Sequence, residues 1–154
     1  MAADLLALRT VADYQFGAGA GAALFPSDGD VDVSHTRSGR PEQIHVGEQR
    51  LVTYGVDGRF TLGVAGGRRL LAALDHPALR VVVGDDSEPF VREGKNAFAK
   101  FVREVDPAIR PGDEVAVVHV DGHLLAVGRA ELPAAGMCDF DTGMAVKVRE
   151  GAGE

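Results

Sequence analysis

Two apolar runs on either side of Asp121-Gly122 constrain the fold of this chain more than any other feature. An Asp-Gly pair between alternating apolar residues is a strong signal for a two-residue β-hairpin turn, so 115–120 is expected to pair with 123–128. Both faces of this hairpin are mostly apolar, and such strands need cover on each side. The hairpin therefore predicts a small closed barrel with a helix or loop packed outside it.

The residues before this hairpin predict a strand followed by an amphipathic helix. The apolar run 81–83 ends at the turn signals of 84–87, which is typical of a short buried strand. Farther along, apolar residues recur at i, i+3, i+4 and i+7. This spacing predicts that a helix starting near Asn96 buries Phe98, Phe101, Val102 and Val105.

Gly94 stands directly before this predicted helix, where an anion could bind. A helix N-terminus has unpaired N–H groups and a positive dipole end, and a preceding glycine lets a phosphate approach closely. A final strand at 144–149 places two basic side chains on one face. If that strand passes near the helix start, one phosphate-binding groove is lined by Arg92, Gly94, Lys95, Asn96, Lys100, Arg103, Lys147 and Arg149. The open alternative is a solvated polar face with Gly94 as a turn residue.

The first half of the chain predicts a helix and a four-stranded antiparallel sheet. Apolar residues at helical spacing predict a helix that stops before Gly17. Short alternating runs between residues 31 and 64 are separated by three turn signals, as in an antiparallel meander. Because a break at 75–77 separates the two halves, we expect an α+β chain with one domain at 1–79 and a second at 80–151.

Composition and charge limit the partners of the chain. Its apolar runs are far shorter than the roughly 20 residues of a membrane span, and its N-terminus does not resemble a signal peptide. We therefore expect no membrane partner and a cytoplasmic location. The net charge is −7, lysine occurs only three times, and aspartate outnumbers glutamate, which resembles the acidic proteins of salt-loving organisms. In molar salt the Debye length falls to about 3 Å, so local contacts would outweigh net charge.

No arrangement of residues in the sequence predicts catalysis. The chain contains no Gly-x-Ser-x-Gly turn of the kind that presents a nucleophile. His119 and His123 flank the hairpin turn and would point to opposite faces, so a shared metal ion is not expected. We therefore expect no catalytic residue, no metal and no cofactor, and a protein that is not an enzyme.

Several stretches of the second half resemble the PUA domain, a small RNA-binding pseudobarrel. They are 81–83, 90–96, 109–115, 125–130 and 143–149. The upstream stretches that resemble the pre-PUA domain of archaeal-type tRNA-guanine transglycosylases are 12–17, 24–26, 34–40 and 60–62. The resemblance covers nearly the whole chain, and it implies an N-terminal antiparallel sheet with helices (pre-PUA) followed by a PUA β-pseudobarrel.

In that family these two domains hold tRNA in the archaeosine pathway, while a separate TIM-barrel domain exchanges the guanine. A barrel of that kind needs about 250 residues, more than this chain has. The resemblance therefore implies a non-catalytic protein that binds RNA, in particular tRNA, and serves a tRNA-modifying enzyme. It also implies RNA-backbone contacts by Arg92, Gly94, Lys95, Asn96, Lys147 and Arg149.

Two other functions remain open at the level of sequence. A pre-PUA domain followed by a PUA domain also occurs in small translation-associated proteins that bind the small ribosomal subunit. A third possibility is a protein-interaction scaffold that has kept the fold and lost RNA binding. Co-sedimentation with ribosomal subunits distinguishes a translation-associated protein from a tRNA carrier. Failure to bind any RNA distinguishes a protein-interaction scaffold from both.

Overall fold

A computed structural model describes residues 2–26 and 31–153, which divide into two units, Met1–Leu74 and Asp75–Glu154. The first unit consists of α1 (Ala2–Phe16), α2 (Ala20–Leu24), β1 (Asp32–His35), β2 (Pro41–Val46), β3 (Gln49–Tyr54), β4 (Phe60–Leu62) and α3 (Val64–Ala73). The four strands form an antiparallel sheet in the order β1-β2-β3-β4, which confirms the predicted meander. Helix α1 stops before Gly17, as predicted.

The core of the first unit is built where its helices meet the sheet. Phe25 and Phe60 are fully buried, and their rings meet edge to face with centroids 5.8 Å apart. The Gln15 side chain ties α1 to β4, because it donates to the Phe60 carbonyl over 2.9 Å and accepts from the Phe60 N–H over 2.7 Å. Helix α3 approaches β3 so closely that a Cβ at Gly66 would overlap the Leu51 carbonyl oxygen.

The second unit is a six-stranded mixed sheet that nearly closes on itself. Its elements are β5 (Arg80–Val83), α4 (Glu88–Arg92), β6 (Ala97–Phe98), a 3₁₀ turn (Ala99–Phe101), β7 (Val102–Val105), β8 (Glu114–His119), β9 (Leu124–Ala130), α5 (Ala134–Asp139) and β10 (Met144–Gly151). The strand order is β6-β10-β9-β8-β5-β7, with β5 and β8 parallel. Because the edge strands β6 and β7 are separated only by the 3₁₀ turn, the sheet curls into the predicted pseudobarrel.

The predicted hairpin is confirmed as β8 and β9. All six residues of β8 are buried. Val115 and Val117 lie in the barrel core with Val81 and Val83 of the parallel strand β5. Since alternate residues of a strand point to opposite faces, a fully buried β8 is covered on both sides, as its apolar pattern requires.

The helix predicted from residue 96 to residue 105 is wrong. These residues form β6, the 3₁₀ turn and β7, and Phe98 is 44% exposed rather than buried. Val102 and Val105 do pack against the core, but from a strand with a bulge between them. The bulge places residues three apart on one face and so imitates helical spacing. The longest described helix is α1, and no helix in 2–26 or 31–153 is long and apolar enough to cross a membrane.

Candidate nucleic-acid interface

Helix α4 ends in a glycine turn that fixes the path of the following residues. The Gly94 N–H donates to the Val91 carbonyl over 2.9 Å and the Lys95 N–H donates to the Phe90 carbonyl over 3.0 Å, the two bonds of a Schellman motif. Gly94 has a φ of 107°, which residues with a Cβ rarely adopt. Gly94 therefore follows the C-terminus of a helix, the negative end of its dipole, and the prediction that a helix begins directly after it is wrong.

The contact loop, residues 92–96, lies against the last strand. The Asn96 Oδ1 accepts a hydrogen bond from the Val148 N–H over 2.9 Å. Beyond β10, the Gly153 N–H donates to the Arg92 carbonyl over 3.0 Å, and Arg92 Nη1 donates to the Gly153 carbonyl over 3.1 Å. The loop and the strand that carry most of the predicted basic residues are thus neighbours, although no helix begins there.

Beside the contact loop, β8, β9 and β10 present charged residues on one face. Lys147 of β10 lies opposite Arg129 of β9, which in turn lies opposite Glu114 of β8. Arg149 reaches the same Glu114 carboxylate, with Nη1 3.2 Å from Oε2 and Nη2 bonded to Oε1. Arg129 was not among the residues predicted from the sequence. Arg129 lies among these charged residues because the register of β9 and β10 places it opposite Lys147.

Four of the predicted cations have no ion pair in the described part of the chain: Lys95, Lys100, Arg103 and Lys147. Arg92 pairs with Glu88 over 2.8 Å, and Arg149 is paired as described above. Lys95 and Lys147 are exposed, and no ion pair to either ammonium group occurs within 2–26 and 31–153. Because Lys95 lies on the contact loop and Lys147 on the strand bonded to it, these two lysines are the unpaired cations of this surface that are available for charge-assisted bonds to phosphate.

Lys100 and Arg103 are positioned differently from the prediction. Lys100 lies in the 3₁₀ turn, with its Nζ 5.0 Å from the centre of the Phe101 ring. Arg103 lies at the bulge of β7 and lines a pocket together with His76 and Arg80. Because the predicted helix does not form, these two side chains are not aligned with Gly94 along a helix face.

Two exposed aromatic rings lie on either side of the contact loop in the sequence. Phe90 of α4 is 55% exposed and Phe98 of β6 is 44% exposed. Neither was predicted as a site residue, and Phe98 was assigned to the core because a bulge imitated helical spacing. Exposed aromatic side chains are surfaces on which unpaired bases stack.

A buried histidine links the start of α4 to the hairpin turn. His119 Nε2 lies 2.6 Å from Asp85 Oδ1, and His119 Nδ1 lies 3.0 Å from Asp121 Oδ1. The hydrogen bond with Asp85 raises the pKa of His119 against the opposing effect of burial, and Asp121 adds to the rise. The His123 backbone N–H lowers the pKa of Asp121 to about 2. The sequence did not predict this cluster, because only the parallel pairing of β5 with β8 brings its members together.

Comparison with known proteins agrees with this fold. Residues 79–152 match the PUA domain, and residues 7–77 match the patch-forming domain C2 of tRNA-guanine transglycosylase. The chain is therefore a PUA-domain protein. More narrowly, its two domains together are similar to the C-terminal region of the archaeal tRNA-guanine(15) transglycosylases.

The relatives share sequence over nearly all of this chain. The tRNA-guanine(15) transglycosylase of Pyrococcus furiosus is 45% identical over 151 residues, which cover 97% of this chain and 25% of the relative. That of Methanothermobacter thermautotrophicus is 46% identical over 149 residues, or 96% of this chain and 23% of the relative. The chain thus spans about a quarter of the length of the curated relatives it matches.

Solved structures share the fold at lower identity. A hypothetical protein from Pyrococcus horikoshii OT3 has a TM-score of 0.77 at 23% identity, covering 100% of this chain and 93% of its own. A conserved PUA domain protein from Thermoplasma acidophilum has a TM-score of 0.65 at 21% identity, with coverages of 96% and 87%. At these identities the likeness concerns the fold alone.

Proposed function

We propose that this chain is a non-catalytic RNA-binding protein and that its RNA is tRNA. One observation carries the proposal. Lys95 and Lys147, two exposed lysines without an ion-pair partner in the described part of the chain, lie on elements joined by the hydrogen bond between Asn96 and Val148. Ammonium groups on neighbouring elements suit successive phosphates of one backbone. The relationship to tRNA-guanine(15) transglycosylases supports tRNA as the RNA.

The other residues of this surface have two different roles in the proposed binding of RNA. Arg92 and Arg149, which are held by carboxylates, maintain the shape of the loop and of the β8–β10 face. The exposed rings of Phe90 and Phe98 provide stacking surfaces for unpaired bases. RNA stems are recognised mainly through shape, phosphates and 2′-hydroxyls, so binding to a stem at this surface would be largely independent of sequence.

The chemistry of base exchange is assigned to a partner. Because the relatives are tRNA-guanine(15) transglycosylases, we infer that a tRNA-modifying enzyme acts on the tRNA that these 154 residues hold. The modification that the relationship suggests is guanine exchange at position 15, in the archaeosine pathway. A tRNA partner would place the protein in the cytoplasm.

Replacing Lys95 and Lys147 together by alanine tests the site. We expect the Kd for tRNA in filter binding to rise about 5- to 30-fold, because two exposed charge contacts together contribute about 1 to 2 kcal/mol. The slope of log Kd against log salt concentration should become shallower by about 1 to 2, since each lost phosphate contact removes roughly 0.7 to 0.9.

A charge-matched variant provides the control. Arg37→Ala with Arg68→Ala removes two exposed arginines of the first unit and the same net charge. If both double variants lose the same affinity, net charge rather than this site governs binding. Unchanged tRNA retention in the lysine variant would refute the site. If the protein co-sedimented with small ribosomal subunits and did not retain tRNA, a translation-associated function would be favoured.

A further inference from the structure

Two carboxylates and one imidazole meet where β5 leads into α4. Asp85 lies in the turn after β5, Glu88 is the first residue of α4, and His119 is the last residue of β8. Their ligand atoms all lie within 4.8 Å of one another. His119 is 8% exposed, so its ring is held in place, whereas the Asp85 side chain is 88% exposed and free to adjust.

The distances within this cluster are close to those around a bound metal ion. His119 Nε2 lies 2.6 Å from Asp85 Oδ1 and 3.7 Å from Glu88 Oε1. At metal–ligand bond lengths of about 2.0 to 2.2 Å, ligand atoms that share one ion lie roughly 3 to 3.5 Å apart. The two distances lie on either side of this range, so a change of less than about 1 Å would bring each imidazole–carboxylate distance into it.

The imidazole is already oriented for such a role. Asp121 Oδ1 lies 3.0 Å from His119 Nδ1, and this contact leaves Nε2 facing Asp85 and Glu88. A histidine that binds a metal through one nitrogen commonly donates the N–H of the other to a carboxylate. Asp121 is itself fixed by His123, whose Nδ1 lies 2.8 Å from Oδ2. The Asp121 backbone N–H also lies 3.2 Å from His119 Nδ1, so Asp121 holds the ring with Nε2 facing the two carboxylates.

We propose that Asp85, Glu88 and His119 bind a divalent transition-metal ion, and that Zn²⁺ suits them best. Imidazole and carboxylate are both common zinc ligands, whereas Mg²⁺ and Ca²⁺ take oxygen ligands. Three protein ligands leave a coordination position for water. The proposal does not depend on RNA binding, and it differs from the sequence expectation because the segment that carries Asp85 and Glu88 is distant in the chain from His119.

The site also has a structural connection to the contact loop. Glu88 approaches His119 through Oε1 and pairs with Arg92 through Oε2, over 2.8 Å. An ion on Oε1 would leave the bond to Arg92 intact. Metal binding would then hold α4 against β8 and stabilise the folded second unit, since a ligand that binds only the folded state raises its stability.

Calorimetric titration with ZnCl₂ tests the site in the full chain after removal of metals with EDTA. The chain should carry Cys138→Ser, because an exposed thiol is another zinc ligand. We expect one ion per chain, with a Kd in the micromolar range or below and a higher Tm in the presence of zinc. Asp85→Asn should raise that Kd at least tenfold. Asp121→Asn, which alters only the support of the ring, should raise it about 10- to 100-fold.

Matched controls separate this site from adventitious binding. Asp86→Asn changes the neighbouring exposed aspartate, and His76→Gln changes an exposed histidine that pairs with Glu104 over 2.9 Å. Both should bind zinc like the parent. His119→Gln should abolish zinc binding. Because His119 is buried, this substitution also affects packing, so Asp85→Asn, at an exposed position, is the decisive variant. A parent chain that binds no zinc, or an Asp85→Asn variant with the affinity of Asp86→Asn, would overturn the proposal.

Discussion

Gly94 directs the chain through the contact loop by its backbone conformation alone. Its φ is 107°, and no atom lies within 4 Å of the place where a Cβ would stand. Glycine is therefore required by conformation and not by space. The sequence predicted that Gly94 precedes a helix, whereas it follows one, because glycine is favoured both after a helix and where an anion approaches the start of one.

Gly94→Ala is expected to lower the free energy of unfolding by about 1 to 2 kcal/mol, the cost of a left-handed conformation for a residue with a Cβ. Urea denaturation measures this change. Glu93→Ala is the control, since Glu93 is exposed with a φ of −79° and should change stability by less than about 0.5 kcal/mol. Equal losses for the two variants would contradict the conformational explanation.

Among the elements, β10 carries both a candidate RNA contact and a structural ion pair. Strand alternation correctly indicated that Lys147 and Arg149 reach one face. It could not indicate that Arg149 pairs there with the buried Glu114, because that contact depends on the register of β8 and β9 and on a register shift between Val148 and Glu150. The sequence therefore predicted the strand and its charges, but not which charge is available to a ligand.

Arg149→Ala is expected to lower the free energy of unfolding by about 1 to 3 kcal/mol, because it removes a two-point partner from a buried carboxylate. Lys147→Ala, at an exposed position of the same strand, should cost less than about 0.5 kcal/mol. Thermal or urea unfolding of both variants makes the comparison. The reverse order of losses would mean that Lys147, and not Arg149, supports the sheet.

The elements also show why some segments could be predicted and others could not. The β8–β9 hairpin was predictable because the Asp121-Gly122 turn signal and the apolar pattern agree. Residues 97–105 were not, because the bulge in β7 gives two core valines a helical spacing. The contact between His119 and Asp85, which are 34 residues apart, depends on the parallel pairing of β5 with β8, for which the sequence holds no local signal.

At the scale of the whole molecule, a net charge of −7 must be reconciled with a polyanionic partner. At 0.15 M salt the Debye length is about 8 Å, so charges at a distance contribute less than those within the contact surface. The proposed RNA contacts on this acidic protein are accordingly local ones, namely Lys95 and Lys147 and the exposed rings of Phe90 and Phe98. The likeness to proteins of salt-loving organisms stays a prediction.

The most direct test of the proposed interface is ultraviolet crosslinking of the full chain to tRNA, followed by mass spectrometry of the crosslinked peptides. We expect crosslinks in the peptides that contain Phe90, Phe98 and Lys147, because these residues surround the contact loop or lie on the strand beside it. Crosslinks confined to Met1–Leu74, or to α5 on the second unit, would contradict a tRNA interface at the contact loop and β10.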